Sequence, residues 1–268
     1  MRIGRRRLLG IGAAGIVVTA SAGFSGDGLA DIAVASEQHE ERERQARYAQ
    51  GRLTTRPGTP REDGPTGLHP LGLGSQRDGL LFVPDDYRAD QPAPLVLMLH
   101  GAGGDARGGL RPLHDLANEA GLILLAVDSR GKTWDVAMGG YGPDVAFVDR
   151  ALAQTFARYA IDPARIAVEG FSDGASYAIS LGITNGDLFT DVMAFSPGFS
   201  WPGDEIGKPD LYVSHGVHDN VLPIDQCSRR IVPRLRRAGY DVQYREFDGG
   251  HAYPPEIVQE ALAWFTRA

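Results

Sequence analysis

Residues 170–174 read G-F-S-D-G, between the apolar run R-I-A-V-E and a stretch of small residues. A serine hydroxyl is a weak nucleophile until a base takes its proton. A Gly-x-Ser-x-Gly turn between a buried strand and a helix lifts such a hydroxyl above the edge of a sheet. Ser172 is therefore the candidate nucleophile, and the chemistry it would serve is acyl transfer through a covalent intermediate. The pattern alone is weak. The rest of the chain has to supply a base, an acid and an oxyanion site.

Three other stretches meet those needs, each directly after an apolar run. H-G-A-G-G-D (100–105) is a glycine turn whose outward backbone N–H groups could hold an oxyanion. It lacks the lysine and the spacing of a phosphate loop. G-V-H-D-N-V-L-P (216–223) offers Asp219 as an acid that could orient a histidine, and D-G-G-H (248–251) offers His251 as a base that titrates near neutral pH. Asp225 is a rival acid, but it reads better as a helix cap. Asp248 is too close to His251 in sequence to orient it well. His215, His218 and Asp219 could suggest a metal site, but helical ligand spacing is absent, so no metal is expected. The only cysteine, Cys227, shows no nucleophile turn and leaves no internal disulfide to form.

Elements that position these residues can be read from hydrophobic pattern. Strands are expected near 68–73, 78–84, 95–100, 122–127, 165–169, 191–195, 210–215 and 242–247. Several are unbroken apolar runs, which marks strands buried on both faces. Helical periodicity falls at 145–159, 229–238 and 255–267. The alternation predicts an α/β doubly wound, mostly parallel sheet flanked by helices, with sites at the carboxyl ends of the strands. Short loops predict no large cap domain.

In chain order the candidates run oxyanion loop, Ser, Asp, His, which is the order of α/β-hydrolase triads. From Gly67 onward the chain resembles the α/β-hydrolases. It is similar to the phospholipase/carboxylesterase branch and to polyhydroxyalkanoate-depolymerase-like and feruloyl-esterase-like secreted serine esterases, through L-H-G-A-G-G, G-F-S-D-G, H-G-V-H-D-N-V-L-P and G-G-H. The resemblance implies hydrolysis of carboxylic esters by a Ser172–His251–Asp219 triad, with no cofactor. The backbone N–H groups of Ala102 and Asp173 would form the oxyanion hole. A peptidase or amidase on the same fold shares this chemistry, and a non-catalytic binding protein is a third reading. Trp134, Tyr141, Phe199, Trp201 and Tyr253 fall on loops beside these stretches and are expected to line a substrate pocket for a small or oligomeric ester.

The remaining signals concern location. Of 268 residues, 43% are hydrophobic and the formal charge is −7, with no long basic stripe, which gives nucleic-acid binding no support. Arg5, Arg6 and Arg7 precede an apolar run (Leu8 to Val18) and then Ala20-Ser21-Ala22, the pattern of an export signal over 1–22. The R-R-x-L-L order resembles a twin-arginine signal, with an ordinary Sec signal as the alternative. Its removal takes four arginines and no acid, so −7 becomes −11, and leaves no stable membrane anchor. Residues 23–66, rich in alternating charge and then proline, are expected to be a flexible leader and linker, ahead of a catalytic domain at 67–268.

Overall fold

The computed structural model describes residues 26–62, 64–74 and 76–267. The expected export segment, residues 1–22, lies outside them. The chain divides into two units, residues 1–41 and 42–268. Helix α1 (Gly26–Tyr48) crosses that division, and its residues 34–47 are exposed. Among the described residues no helix is long and apolar enough to cross a membrane.

The apolar runs form the strands. They are β1 (Gly67–Pro70), β2 (Gly79–Val83), β3 (Ala93–Leu99), β4 (Ile123–Val127), β5 (Ile161–Phe171), β6 (Asp191–Phe195), β7 (Asp210–Gly216) and β8 (Val242–Phe247). They make one sheet in the order β1-β2-β4-β3-β5-β6-β7-β8. β1, β2 and β4 pair antiparallel, and every pairing from β4 to β8 is parallel. β3, β4 and β6 are buried along their whole length, which is why their sequences do not alternate.

Helices cover both faces. α4 (Pro143–Arg158), α5 (Asp173–Thr184) and α6 (Ser228–Arg237) enclose one core with Leu95, Leu97 and Val168. The short α2 (Ala106–Leu110) and α3 (His114–Ala117), with α7 (Pro255–Phe265), enclose the other with Val96, Met98 and Ala167. Successive strand residues point to opposite faces, so each strand feeds both cores.

The linker expected over 23–66 differs from that reading, because residues 48–62 are fastened to the domain. Asp149, a buried carboxylate on α4, takes the Tyr48 hydroxyl (2.9 Å) and the amides of Thr54 (2.8 Å) and Thr55 (2.9 Å). The side chain of Asn185 accepts from the Leu53 amide (2.8 Å) and donates to the Gly51 carbonyl (2.8 Å). Arg52 and Arg56 both reach Asp187. Partial burial would raise that carboxyl, but the two guanidiniums overcome it and hold the pKa at about 2. Composition concealed this strap: its apolar anchors, Tyr48 and Leu53, are isolated among polar residues and have no period.

Glu169 breaks the apolar pattern of β5. It lies between Met98 and Met193 across the sheet, almost fully buried, and neither carboxylate oxygen has a partner among the described residues. Burial pushes its pKa well above the ordinary carboxylate range. The folded state therefore favours the neutral acid, and folding loses stability as pH rises past the ordinary glutamate value of ~4.3. Glu169→Met is expected to stabilise the fold by about 1–3 kcal/mol at pH 8 and by less at pH 4. Denaturant titrations of both proteins at the two pH values check this; a gap that does not grow with pH contradicts it.

Candidate functional site

The site is built on the crossing of β5 and α5. Ser172, the residue between them, has φ +58° and ψ −120°, a conformation that costs on the order of 1–3 kcal/mol for a side-chain-bearing residue. Both flanking glycines are required by space. A Cβ on Gly170 would stand 2.2 Å from the Gly174 carbonyl oxygen, and one on Gly174 would stand 2.1 Å from that of Leu99. The Ser172 amide donates to the Phe195 carbonyl (2.9 Å), which ties the turn to β6.

This turn brings together residues from three strand ends. His251 Nε2 lies 2.8 Å from Ser172 Oγ, and its Nδ1 lies 2.6 Å from Asp219 Oδ2. The loop carrying His251 settles on Gly216, at the end of β7, where a Cβ would stand 2.2 Å from the Gly250 carbonyl oxygen. The imidazole rests on the Phe171 ring, 4.7 Å between centroids, and Tyr253 packs edge-on against the same ring at 4.9 Å.

Asp219 is held as an anion. Burial of its side chain would raise its pKa, but the Leu222 amide (2.8 Å), His251 and the Val221 amide (2.9 Å) outweigh burial and keep it below the usual range. Behind it stands His215, fully buried, with Nε2 3.2 Å from Asp219 Oδ2. The same nitrogen donates to the Leu222 carbonyl (2.8 Å), and Nδ1 accepts from the Ser228 hydroxyl (2.7 Å). Burial lowers the pKa of His215, so its ring is neutral and serves as a fixed donor. His218 is apart from this group, at the surface beside Asp248 (2.9 Å). Asp225 is also remote, paired with Arg229 on the exposed start of α6.

The glycine loop after β3 approaches the turn from the other side. A Cβ on Gly101 would meet the Cβ of Ser172 at 3.5 Å. The amides of Ala102 and Asp173 donate to no group among the described residues. The loop after β4 braces both of their segments. The Lys132 carbonyl accepts from the Gly103 amide (2.6 Å), and the Thr133 hydroxyl donates to Asp173 Oδ2 (2.6 Å). His100 is a spectator, because burial keeps it neutral and its two nitrogens are taken up by the Gly101 carbonyl and the Ser129 amide.

The five aromatic candidates separate. Tyr253 packs against the rings of Phe171 and Phe195. Trp134 does not line a pocket: it is buried, stacked on Tyr177 (5.0 Å, 12°), with its indole N–H on the His100 carbonyl (2.9 Å). Its loop position suggested access, but it fills the core below the loop. Phe199 packs half-buried against the α4–α6 core. Tyr141 donates to the Trp201 carbonyl (2.8 Å), and Trp201 itself is 62% exposed, well along α5 from Ser172.

A ladder of hydroxyls sets that separation. On α5, Ser176, Ser180 and Thr184 each donate to the carbonyl four residues back (3.2, 2.7 and 2.7 Å). They accept in turn the amides of Gly198, Trp201 and Gly203, each at 2.9 Å. The spacing is visible in the sequence as Ser or Thr every four residues after Ser172.

Comparison with known proteins agrees with the architecture. No family model matches the chain. Over 230 residues it is 27% identical to a probable feruloyl esterase C of Aspergillus niger, covering 74% of this chain and 83% of that protein. Its fold matches esterase PE8 with a TM-score of 0.56 at 23% identity, over 71% of this chain and 98% of the other. It also matches a fluorophosphonate-binding serine hydrolase of Staphylococcus aureus with a TM-score of 0.61 at 16% identity, over 76% and 100%. The chain has the α/β-hydrolase fold and is similar to esterases. Packing is tight at Gly174, where the opposing atoms are backbone and cannot swing away. Gly174→Ala is expected to destabilise the protein by about 2–4 kcal/mol. Thermal unfolding would measure the loss, and an unchanged midpoint would contradict the packing described.

Proposed function

We propose that this hydrolase is an exported serine esterase that works through an acyl-enzyme on Ser172. The observation that carries this reading is the relay from Ser172 Oγ through His251 to Asp219, at 2.8 and 2.6 Å, on a strained strand-to-helix turn. In the first half-reaction, Ser172 Oγ attacks the ester carbonyl while His251 Nε2 takes its proton. Asp219 holds Nδ1–H and stabilises the imidazolium that forms. The amides of Ala102 and Asp173 receive the developing oxyanion, and the second is at the positive end of α5. His251 then gives its proton to the departing alcohol. Water, activated by the same imidazole, releases the acid.

The likeness to a probable feruloyl esterase C supports an ester substrate and makes feruloyl esters the first to try. Ser172→Ala is expected to lower kcat/KM on a p-nitrophenyl ester by about a thousandfold or more while the protein stays folded. Retention of most of the activity would remove Ser172 from the reaction. Export rests on residues 1–22. Replacing Arg5 and Arg6 with Lys is expected to leave the protein inside the cell, as an immunoblot of cell and medium fractions would show; undiminished export would favour the Sec route.

A further inference from the structure

The relay from Ser172 does not end at Asp219. Asp219 Oδ1 is taken by the amides of Val221 (2.9 Å) and Leu222 (2.8 Å), which leaves Oδ2 to face His251 Nδ1 at 2.6 Å. His215 Nε2 also faces Oδ2, at 3.2 Å. The main bond of that nitrogen runs to the Leu222 carbonyl at 2.8 Å. Leu222 is thus held at both ends, its carbonyl by His215 and its amide by Asp219. Beyond the ring, Ser228, the first residue of α6, brings its hydroxyl to His215 Nδ1 at 2.7 Å.

Each group in this extension has one role open to it. A carbonyl only accepts, so Nε2 of His215 carries the ring proton. Burial holds the ring neutral, so Nδ1 keeps a lone pair and needs a donor. The Ser228 hydroxyl is that donor. Both side chains are fully buried. An imidazole and a hydroxyl cost more to bury than apolar side chains of similar size. Filling space therefore does not account for the pair. What the pair acts on is the turn that presents Asp219.

We propose that His215 and Ser228 are positioning residues for the reaction at Ser172. This rests on the esterase reading given above. Ser228 sets the tautomer of His215. His215 pins the turn from Asp219 to Leu222, and the turn aims Oδ2 at His251. The side chains then run Ser172, His251, Asp219, His215 and Ser228, with steps of 2.8, 2.6, 3.2 and 2.7 Å. They join the N-terminus of α5 to the N-terminus of α6. Because the last two members act through Asp219, their effect belongs to the rate of the chemical step and not to the binding of substrate.

The test is a double-mutant cycle on p-nitrophenyl butyrate. His215→Leu is expected to lower kcat about tenfold or more with KM within about twofold, and Ser228→Ala to lower kcat about threefold. His215→Gln, whose amide offers an N–H to Leu222, is expected to keep most of the rate. On an Asp219→Asn background, His215→Leu and Ser228→Ala are each expected to change kcat by less than about twofold, because the group they act through is gone. Circular dichroism confirms folding. Where His215→Leu does not fold, Ser228→Ala, which removes a single oxygen, carries the cycle. A second readout does not depend on turnover. The downfield proton resonance of His251 Nδ1–H, identified by its loss in Asp219→Asn, is expected to shift in His215→Leu and in Ser228→Ala and to stay in place in His215→Gln. The proposal is overturned if His215→Leu folds and keeps the parental kcat, if His215→Leu and His215→Gln lose rate equally, if the losses persist on Asp219→Asn, or if the resonance does not respond. A parent that cleaves no ester while the resonance responds as expected would sink the esterase reading alone.

Discussion

The structure depends on how closely β5 and α5 approach at Ser172. Two backbones and the loop after β3 meet where no side chain fits, so Gly170 and Gly174 are bare by necessity. The residue between them has to accept a positive φ, and its side chain then leaves the sheet at the top of the turn. The amide of Asp173 has no partner among the described residues at the start of α5, and the glycine loop that carries Ala102 reaches Ser172 through Gly101. One packing constraint thus produces the raised hydroxyl, the helix N-terminus behind it and the pair of donors with no partner among the described residues.

The polar groups that complete the site are supported from below. Asp219 could not remain a buried anion on its contact with His251 alone; two amides and the neutral ring of His215 share the charge. The imidazole is seated on Phe171, so the second residue of the G-F-S-D-G motif contributes packing to the base. Thr133 and Lys132 join the two segments that carry the free amides, which fixes their spacing. Glu169 shows the reverse case, a carboxyl with no such support that burial keeps neutral.

Much of this was legible in the residues. Unbroken apolar runs marked the buried strands because both faces of a parallel sheet are covered. The order of Ser172, Asp219 and His251 was readable because each follows its own strand. What escaped was three-dimensional in origin. Trp134 and Trp201 both follow strands, yet one fills the core and the other faces solvent, and no local pattern separates them. The roles of Thr133, His215 and Phe171 come from what the topology places beside them. The strap was hidden because its partners, Asp149, Asn185 and Asp187, lie about a hundred residues or more away.

The hydroxyl ladder also limits how such a chain can vary. Its rungs are one helical turn apart, and the facing loop meets them with Gly198, Trp201 and Gly203. Pro202, which has no N–H, sits between two rungs, where no donor is called for. A residue inserted or deleted between 198 and 203 would slide every later amide off its hydroxyl, whereas a new side chain at 201 would leave all of them in place. Loop length is locked to the pitch of the helix and the side chain at 201 is not, so descendants of this protein can change that surface without changing how they are built.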